Sequence, residues 1–162
     1  MLALDDTPQS AAAAEAARQL FGPDTTYFAV NVASVPPAWA PSAMVWGGVV
    51  PYAPDPAYSM DMQANTYTEA EDDAQHEAEK LAKGAGIEAT PVGESGDAVE
   101  AIVRAAHDHH ADVIVVGAAE KSFWHRLIEG SVAKDILRVA HIPVLVVPER
   151  SDDHHDEQPT SA

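Results

Sequence analysis

Residues 113–117 read Val-Ile-Val-Val-Gly, and this stretch decides which fold class the sequence predicts. Side chains on both alternating sets are apolar, whereas a strand with one face in water would alternate apolar and polar residues. A short apolar run of this kind is typical of a strand in the middle of a parallel sheet with helices packed on both faces.

Four other apolar runs predict the remaining strands, at residues 1–4, 27–32, 87–92 and 143–147. Helical patterns separate these runs, and no hairpin signal lies between any two of them. Because strands and helices alternate regularly, the sequence favours a single α/β domain with an open, five-stranded parallel sheet and helices on both faces.

The predicted helices begin at recognisable caps. Thr7 precedes Pro8, as an N-cap precedes a proline in the first turn. Capping-box patterns predict two further starts, one at Thr68 for a charged helix that ends at Lys83 and one at Asp97. The last helix is predicted to begin at residues 130–131 and to place four side chains inward, namely Val132, Ile136, Leu137 and Ala140.

Two segments fall outside this alternation. Residues 34–66 are rich in proline, glycine and aromatic residues and exceed the usual length of a connecting loop, which predicts an insertion within a domain of residues 1–149. Its apolar side chains either close over a ligand or partner, or pack on the sheet or a second subunit. Residues 150–162 are polar, acidic and contain histidine, and we expect a disordered tail. The apolar residues of the insertion that would close over a ligand or pack in one of these ways are Trp39, Met44, Trp46, Tyr52 and Tyr58.

The charge balance limits the partners of this chain. Its 162 residues include 26 acidic side chains and 9 Lys and Arg, a net charge of -17, which repels phosphate backbones and anionic lipid. We therefore expect neither nucleic acid nor membrane as a partner. The absence of cysteine excludes disulfides, thiolate zinc sites and cysteine nucleophiles. No stretch approaches the ~20 apolar residues of a spanning helix, and the first residues lack a signal-peptide pattern, so we expect a cytoplasmic protein.

Several segments, read together, resemble the universal stress proteins. Ala-Asp-Val-Ile-Val-Val-Gly at 111–117 is followed by a loop of that family's length, by Gly-Ser-Val at 130–132, and by Ala-His-Ile-Pro-Val-Leu-Val-Val at 140–147. Gly-Asp-Ala-Val-Glu-Ala-Ile at 96–102 and Leu-Asp-Asp-Thr-Pro-Gln-Ser at 4–10 are similar to two further family segments. The resemblance implies a Rossmann-like sheet of the adenine-nucleotide α-hydrolase type, with strand order 3-2-1-4-5.

The resemblance also implies a phosphate site. Nucleotide-binding members have a glycine, two residues, a second glycine, nine residues, and then glycine with serine or threonine; here Gly117 matches the first place and Gly130 with Ser131 the last. The Ser131 hydroxyl and the backbone N–H groups from Val132 onward could hold a phosphate, or Ser131 could simply cap the helix. Glu120 stands at the second glycine's place, where it adds a Cβ atom and a negative charge.

Strand ends would hold the rest of the nucleotide if the resemblance extends that far. Asp5 would hydrogen-bond the adenine or ribose edge, and the backbone at Val32 and Val116 would line the base. Alternatively, Asp5 could help to cap the first helix, although Thr7 already has that role. Asp6 departs from the glycine that the family usually has at this place.

Basic residues gather within 121–138 of this acidic chain. Lys121 and Arg126 fall in the predicted loop and are the candidates to compensate a phosphate charge. Lys134 and Arg138 are instead expected to pair with acids on an exposed helix face. Histidine clusters at 107–110 and 154–155 could be interpreted as metal ligands, but the first closes a helix and neither has a fixed zinc spacing, so we predict no metal site.

Three functions are compatible with these patterns. The first is a stress-related sensor that binds ATP or AMP, with or without Mg²⁺. The second is a family member that has lost the nucleotide and acts as a homodimeric interaction module. Under either of these two hypotheses the resemblance implies a homodimer in which the last strand, Val144 to Val147, pairs with its copy, and an apolar edge strand favours such association. The third, slow nucleotide hydrolysis, lacks a positioned general base or a metal-binding carboxylate pair near Gly117.

Overall fold

The computed structural model describes residues 1–35, 56–118 and 132–148, with side chains described from residue 64 onward in the second range. Strands and helices alternate throughout these residues, as predicted. In chain order they are β1 (Leu2–Ala3), α1 (Pro8–Phe21), β2 (Tyr27–Ala33), α2 (Pro56–Gly84), β3 (Ala89–Ser95), α3 (Ala98–Asp108), β4 (Ile114–Ala118), α4 (Val132–Val139) and β5 (Val144–Pro148).

The strands form one parallel sheet in the order β3-β2-β1-β4-β5, which confirms the predicted topology. β4 lies between β1 and β5, and its Ile114, Val115 and Val116 are at most 6% exposed. Because β4 is covered on both faces, neither of its alternating sets of side chains faces water. Both sets are therefore apolar, which is the pattern from which the fold was predicted.

Helices cover the two faces of the sheet in pairs. On one face, α1 and α2 pack on a cluster that includes Leu2, Leu4, Ala29 and Val115. On the other face, α3 and α4 pack on a cluster that includes Val30, Val92, Ile114 and Val116. The buried side of α1 consists of small residues, one serine and three alanines, so its backbone lies close to the sheet.

Helix α2 begins twelve residues earlier than the capping box at Thr68 predicted. The helix starts at Pro56, a residue type favoured in a first turn, and residues 56–66 belong to it and not to an insertion loop. The Thr68 hydroxyl donates to the Ala64 carbonyl at 3.0 Å, one turn back, instead of capping an amide. The pattern was misleading because threonine can bond back to its own helix as well as cap one.

The inward face of α4 also differs from the prediction. Ala133 and Ile136 are buried, whereas Val132 is 39% and Leu137 46% exposed. The buried stripe therefore passes through 133, 136 and the partly buried Ala140, and the predicted stripe was rotated by about one residue. This short helix of eight residues offers few apolar positions from which to choose the face.

Two further predictions can be compared with the structure. Ile87 lies before β3 because its amide closes the end of α2 by donating to Ala82 O at 2.9 Å, so this strand starts later than predicted. Trp39, Met44, Trp46 and Tyr52, and the tail 150–162, lie outside the described residues, as does the side chain of Tyr58. Within the part of the chain that the structure describes, no helix has the length and apolar character needed to cross a bilayer.

Candidate functional site

A cavity lies at the carboxyl edge of the sheet, at the point where the strand order reverses. β1 has β2 on one side and β4 on the other, and crevices at such switch points bind ligands in open α/β sheets. The cavity has a volume of about 160 Å³. It is lined by Ala3, Leu4, Asp5, Thr7, Ser10, Val30, Asn31, Val32, Ala98, Ile102, Val116, Gly117 and Val132.

The lining combines apolar walls with polar groups. Val30, Ile102 and Val116 are at most 6% exposed and form apolar wall, while Asp5 and Thr7 are exposed. A flat apolar surface with a few fixed hydrogen-bonding groups at its border suits an aromatic base, because the ring faces need apolar contact and the ring edge needs donors and acceptors.

Asp5 is held at this border by two hydroxyl groups. Its backbone N–H donates to Ser10 Oγ at 2.9 Å, and its Oδ1 accepts from Thr7 Oγ1 at 2.5 Å. Thr7 is the N-cap of α1 and accepts from Ser10 N at 3.2 Å, so helix capping belongs to Thr7 and not to Asp5. Among the described residues, Asp5 Oδ2 makes no hydrogen bond, so this oxygen can accept one from a ligand.

Asn31 is a lining residue that the sequence reading missed. Its side-chain Nδ2 donates to the Leu4 carbonyl oxygen at 2.8 Å and so connects the end of β2 to the residue before Asp5. An Asn inside the run Phe-Ala-Val-Asn-Val-Ala was the available signal, because asparagine is depleted in strands unless its amide has a partner.

Gly117 stands under the first turn of α1. A Cβ atom at this position would lie 2.4 Å from both the carbonyl carbon and the carbonyl oxygen of Gln9. No side chain larger than hydrogen fits there without moving α1. Since Thr7 and Ser10 belong to the same turn, Gly117 also sets the position of the groups that hold Asp5.

Two helix N-termini border the cavity from the other face of the sheet. α3 starts at Ala98, on the cavity wall, and two of its first amides are already bonded, because Asp97 Oδ1 accepts from Val99 N and Glu100 N at 3.0 Å each. α4 starts at Val132, on the cavity wall. The Asp97 carboxylate already occupies the N-terminus of α3, so that terminus would attract an anion less. The N-terminus of α4 is therefore the better place for a phosphate.

The structure brings together five of the nine predicted site residues. Asp5, Val32, Val116, Gly117 and Val132 all line the cavity. The roles of the four others stay predictions, because these residues lie outside the described part of the chain: Lys121, Arg126, Gly130 and Ser131. Glu120 also lies outside it. Arg138 lies 3.7 Å from Asp135 on the exposed side of α4, as expected for a surface pair.

A larger groove lies away from the switch point, between α3 and α4. Its volume is about 960 Å³, with an apolar floor that includes Val103 and Ile142 and histidines at 107, 110 and 141 on its border. None of the five predicted site residues that the structure describes lines this groove. Among the described residues, no three His, Cys, Asp or Glu side chains converge as a metal site would need. His107 lies beside Asp108 at 3.1 Å, and the His109 ring contacts Phe28.

Comparison with known sequences decides the family. A family model described as the universal stress protein family matches residues 1–148. The chain belongs to the universal stress protein family. No curated protein matches the sequence significantly.

Solved structures share the fold of this universal stress protein. Hypothetical protein MJ0577, a test case for structure-based assignment of biochemical function, is 17% identical with a TM-score of 0.61, covering 93% of this chain and 94% of that one. A universal stress protein in complex with cAMP is 21% identical with a TM-score of 0.53, covering 92% and 95%. A universal stress protein from Archaeoglobus fulgidus DSM 4304 is 17% identical with a TM-score of 0.51; the match covers 91% of this chain and 48% of that longer chain.

Proposed function

We propose that this universal stress protein binds an adenine nucleotide, ATP or AMP, at the carboxyl edge of its sheet and acts as a nucleotide-responsive regulator in the cytoplasm. One observation carries the proposal: the cavity at the switch point is lined by Asp5, Val32, Val116, Gly117 and Val132. These residues come from four separate segments of the sequence, and family resemblance alone had assigned them to one ligand.

The size of the cavity fits part of a nucleotide. Its 160 Å³ is below the roughly 300 Å³ of pockets that enclose a drug-sized ligand, so it would hold the base and leave ribose and phosphates outside. The base would lie against Val30 and Val116, with Asp5 Oδ2 accepting from an N–H or O–H group of the ligand.

The phosphates would then point toward the start of α4. Backbone N–H groups at a helix N-terminus attract anions, and Gly130 and Ser131 immediately precede Val132 in the sequence. Lys121 and Arg126 would balance the phosphate charge, with Mg²⁺ assisting a triphosphate. Such compensation matters here because the chain has a net charge of -17.

One structural neighbour gives independent support for the ligand class. The universal stress protein that was solved with cAMP shares the fold over 92% of this chain. cAMP contains the same adenine base, so a matching fold can present an edge that accepts it.

Calorimetric titration of ATP, AMP and cAMP tests the proposal. We expect saturable binding to the wild-type protein and at least roughly tenfold weaker binding to Asp5→Asn, since a hydrogen bond to a charged acceptor contributes about 1.5 kcal/mol or more. Asp6→Asn is the matched control, because it removes the same charge one residue away, outside the cavity. Absence of binding at millimolar nucleotide, or equal losses in both variants, would contradict the proposal.

A second candidate function is a homodimeric interaction module. β5 lies at the edge of the sheet and pairs only with β4 within the described residues, which leaves one row of its backbone groups unpaired. Val144 to Val147 are partly buried and apolar, and such an edge favours pairing with a second copy. Light scattering during size exclusion should give twice the 17.1 kDa chain mass; a monomer at micromolar concentration would argue against the module.

A further inference from the structure

The backbone ladder between β1 and β2 ends at the cavity wall, with the hydrogen bond between Leu4 and Val30. Leu4 N donates to Val30 O at 2.9 Å, so the backbone groups of Val30 face β1. Successive residues of a strand point their backbone groups to opposite sides, and Val32, two residues on, therefore faces the same side as Val30. The expected next bond would join Val32 N to Leu4 O.

That bond is replaced by a side chain. Leu4 O accepts from Asn31 Nδ2 at 2.8 Å, and no backbone hydrogen bond joins Val32 to Leu4. The Asn31 amide thus satisfies the last carbonyl of the first strand segment. The N–H and C=O of Val32 lie at the cavity wall, and neither makes a backbone hydrogen bond to the β1 segment of residues 2–6.

We propose that Asn31 is a positioning residue for the nucleotide base: by occupying the Leu4 carbonyl it holds the Leu4–Asp5 peptide in place and leaves the backbone of Val32 open to the ligand. The inference rests on the proposed nucleotide function and adds the residue that prepares the site. Asn31 itself need not touch the ligand.

The open groups favour a particular base. A strand edge offers a backbone donor and a backbone acceptor near each other, and adenine presents an acceptor ring nitrogen beside its exocyclic amine donor. Guanine has a carbonyl at the exocyclic position and a protonated ring nitrogen beside it, so the same pair of groups would meet it with the wrong polarity. Asp5 Oδ2 adds a second acceptor at the border. An open Val32 edge therefore selects adenine over guanine.

A purely structural role for Asn31 makes different predictions. If Asn31 only satisfies the hydrogen-bonding capacity of Leu4 O, its loss would lower the stability of the fold and weaken the binding of all nucleotides alike. If Asn31 keeps the Val32 edge open, its loss would let Val32 N–H bond to Leu4 O, close the edge and weaken adenine nucleotides selectively.

Amide hydrogen exchange in the ligand-free protein tests the geometry without any nucleotide. We expect the Val32 amide to exchange at least roughly tenfold faster than the Val30 amide in the wild type, and to slow by a similar factor in Asn31→Val, which lacks the side-chain donor but keeps strand propensity. Equal protection of Val30 and Val32 in the wild type, or unchanged Val32 exchange in the variant, would overturn the inference. The wild-type comparison does not depend on the variant folding.

Competition between ATP and GTP tests the consequence. In Asn31→Val we expect about tenfold weaker ATP binding with GTP affinity within about twofold of wild type, so the base preference falls. Ser95→Ala is the matched control: Ser95 donates to Glu71 Oε1 at 2.8 Å at the end of β3, away from the cavity, and its loss should leave the ratio unchanged. Equal weakening of ATP and GTP binding in Asn31→Val, or equal affinities for ATP and GTP in the wild type, would overturn the role of Asn31 and leave the proposed nucleotide binding intact. A wild type that binds neither nucleotide would refute the proposed function, and this role with it.

Discussion

Gly117 lies directly against the backbone of Gln9, so that a Cβ atom on residue 117 would stand 2.4 Å from the Gln9 carbonyl carbon. This contact packs two parts of the candidate site against each other. One is β4, which ends at the cavity, and the other is the first turn of α1, which holds Asp5 through Thr7 and Ser10. The glycine therefore has a packing role in addition to the ligand role that the family motif implies.

Substituting Gly117→Ala should lower the free energy of unfolding by about 1–3 kcal/mol, because α1 must move away from the sheet to admit the methyl group. Urea denaturation measures the change. Gly84→Ala is the matched control, since nothing lies within 4 Å of a Cβ atom there and the site is helical. That control should be neutral or stabilising. Equal stability of Gly117→Ala and wild type would show that the contact is not tight.

His110→Gly should raise stability. His110 is a non-glycine residue with positive φ (51°), and it follows α3 in a Schellman arrangement in which Ala111 N donates to Ala106 O and His110 N to His107 O. Glycine is favoured at this place because it has no Cβ penalty, and we expect a gain of about 0.5–1 kcal/mol. Thermal unfolding provides the measurement. A lower melting temperature would mean that the His110 side chain contributes more than its backbone strain costs.

Salt should stabilise the protein. The net charge of -17 causes self-repulsion that ions screen. Most ion pairs among the described residues join largely exposed side chains and lose little when screened, and Glu94, which pairs with Arg104, is the more buried exception at 17% exposed. We expect the melting temperature to rise between about 20 mM and about 500 mM NaCl, where the Debye length shortens severalfold. A fall over that range would indicate that attractive pairs outweigh the repulsion.

Glu120→Gly should strengthen ATP binding. The substitution restores the family's second glycine and removes a negative charge next to the expected phosphate position, so we predict roughly a fivefold or larger gain in affinity by calorimetry. Glu157→Gly, which removes the same group from the predicted tail, is the control and should change affinity much less. Equal gains in the two variants would indicate general charge relief instead of a specific position.

The fold was predictable because strong local patterns coincided with it. The apolar run at 113–117 anticipated a central strand, and the caps at Thr7 and Asp97 are the N-caps of α1 and α3. The start of α2 was not predictable from its capping box, because Thr68 bonds to Ala64 within the helix. Local hydrogen-bonding preference does not distinguish these two uses of threonine.

The site was predictable only in part. Asp5 and Gly117, which line the cavity, could be named from the sequence because they match family segments. Asn31 belongs to no motif, and its proposed role depends on a contact with Leu4, which is 27 residues away in the sequence. The close approach of Gln9 to Gly117 is likewise a tertiary contact. Neither contact produces a periodic or spacing signal, so the sequence alone could not reveal them.

The most direct test of the central claim is an amide chemical-shift titration of the ¹⁵N-labelled protein with AMP. We predict saturable shifts concentrated at Val32, Ala98 and Gly117, at the carboxyl edge of the sheet, with the groove between α3 and α4 unaffected. Absence of shifts at millimolar AMP, or shifts centred on Val103 and Val139 in that groove, would contradict the account.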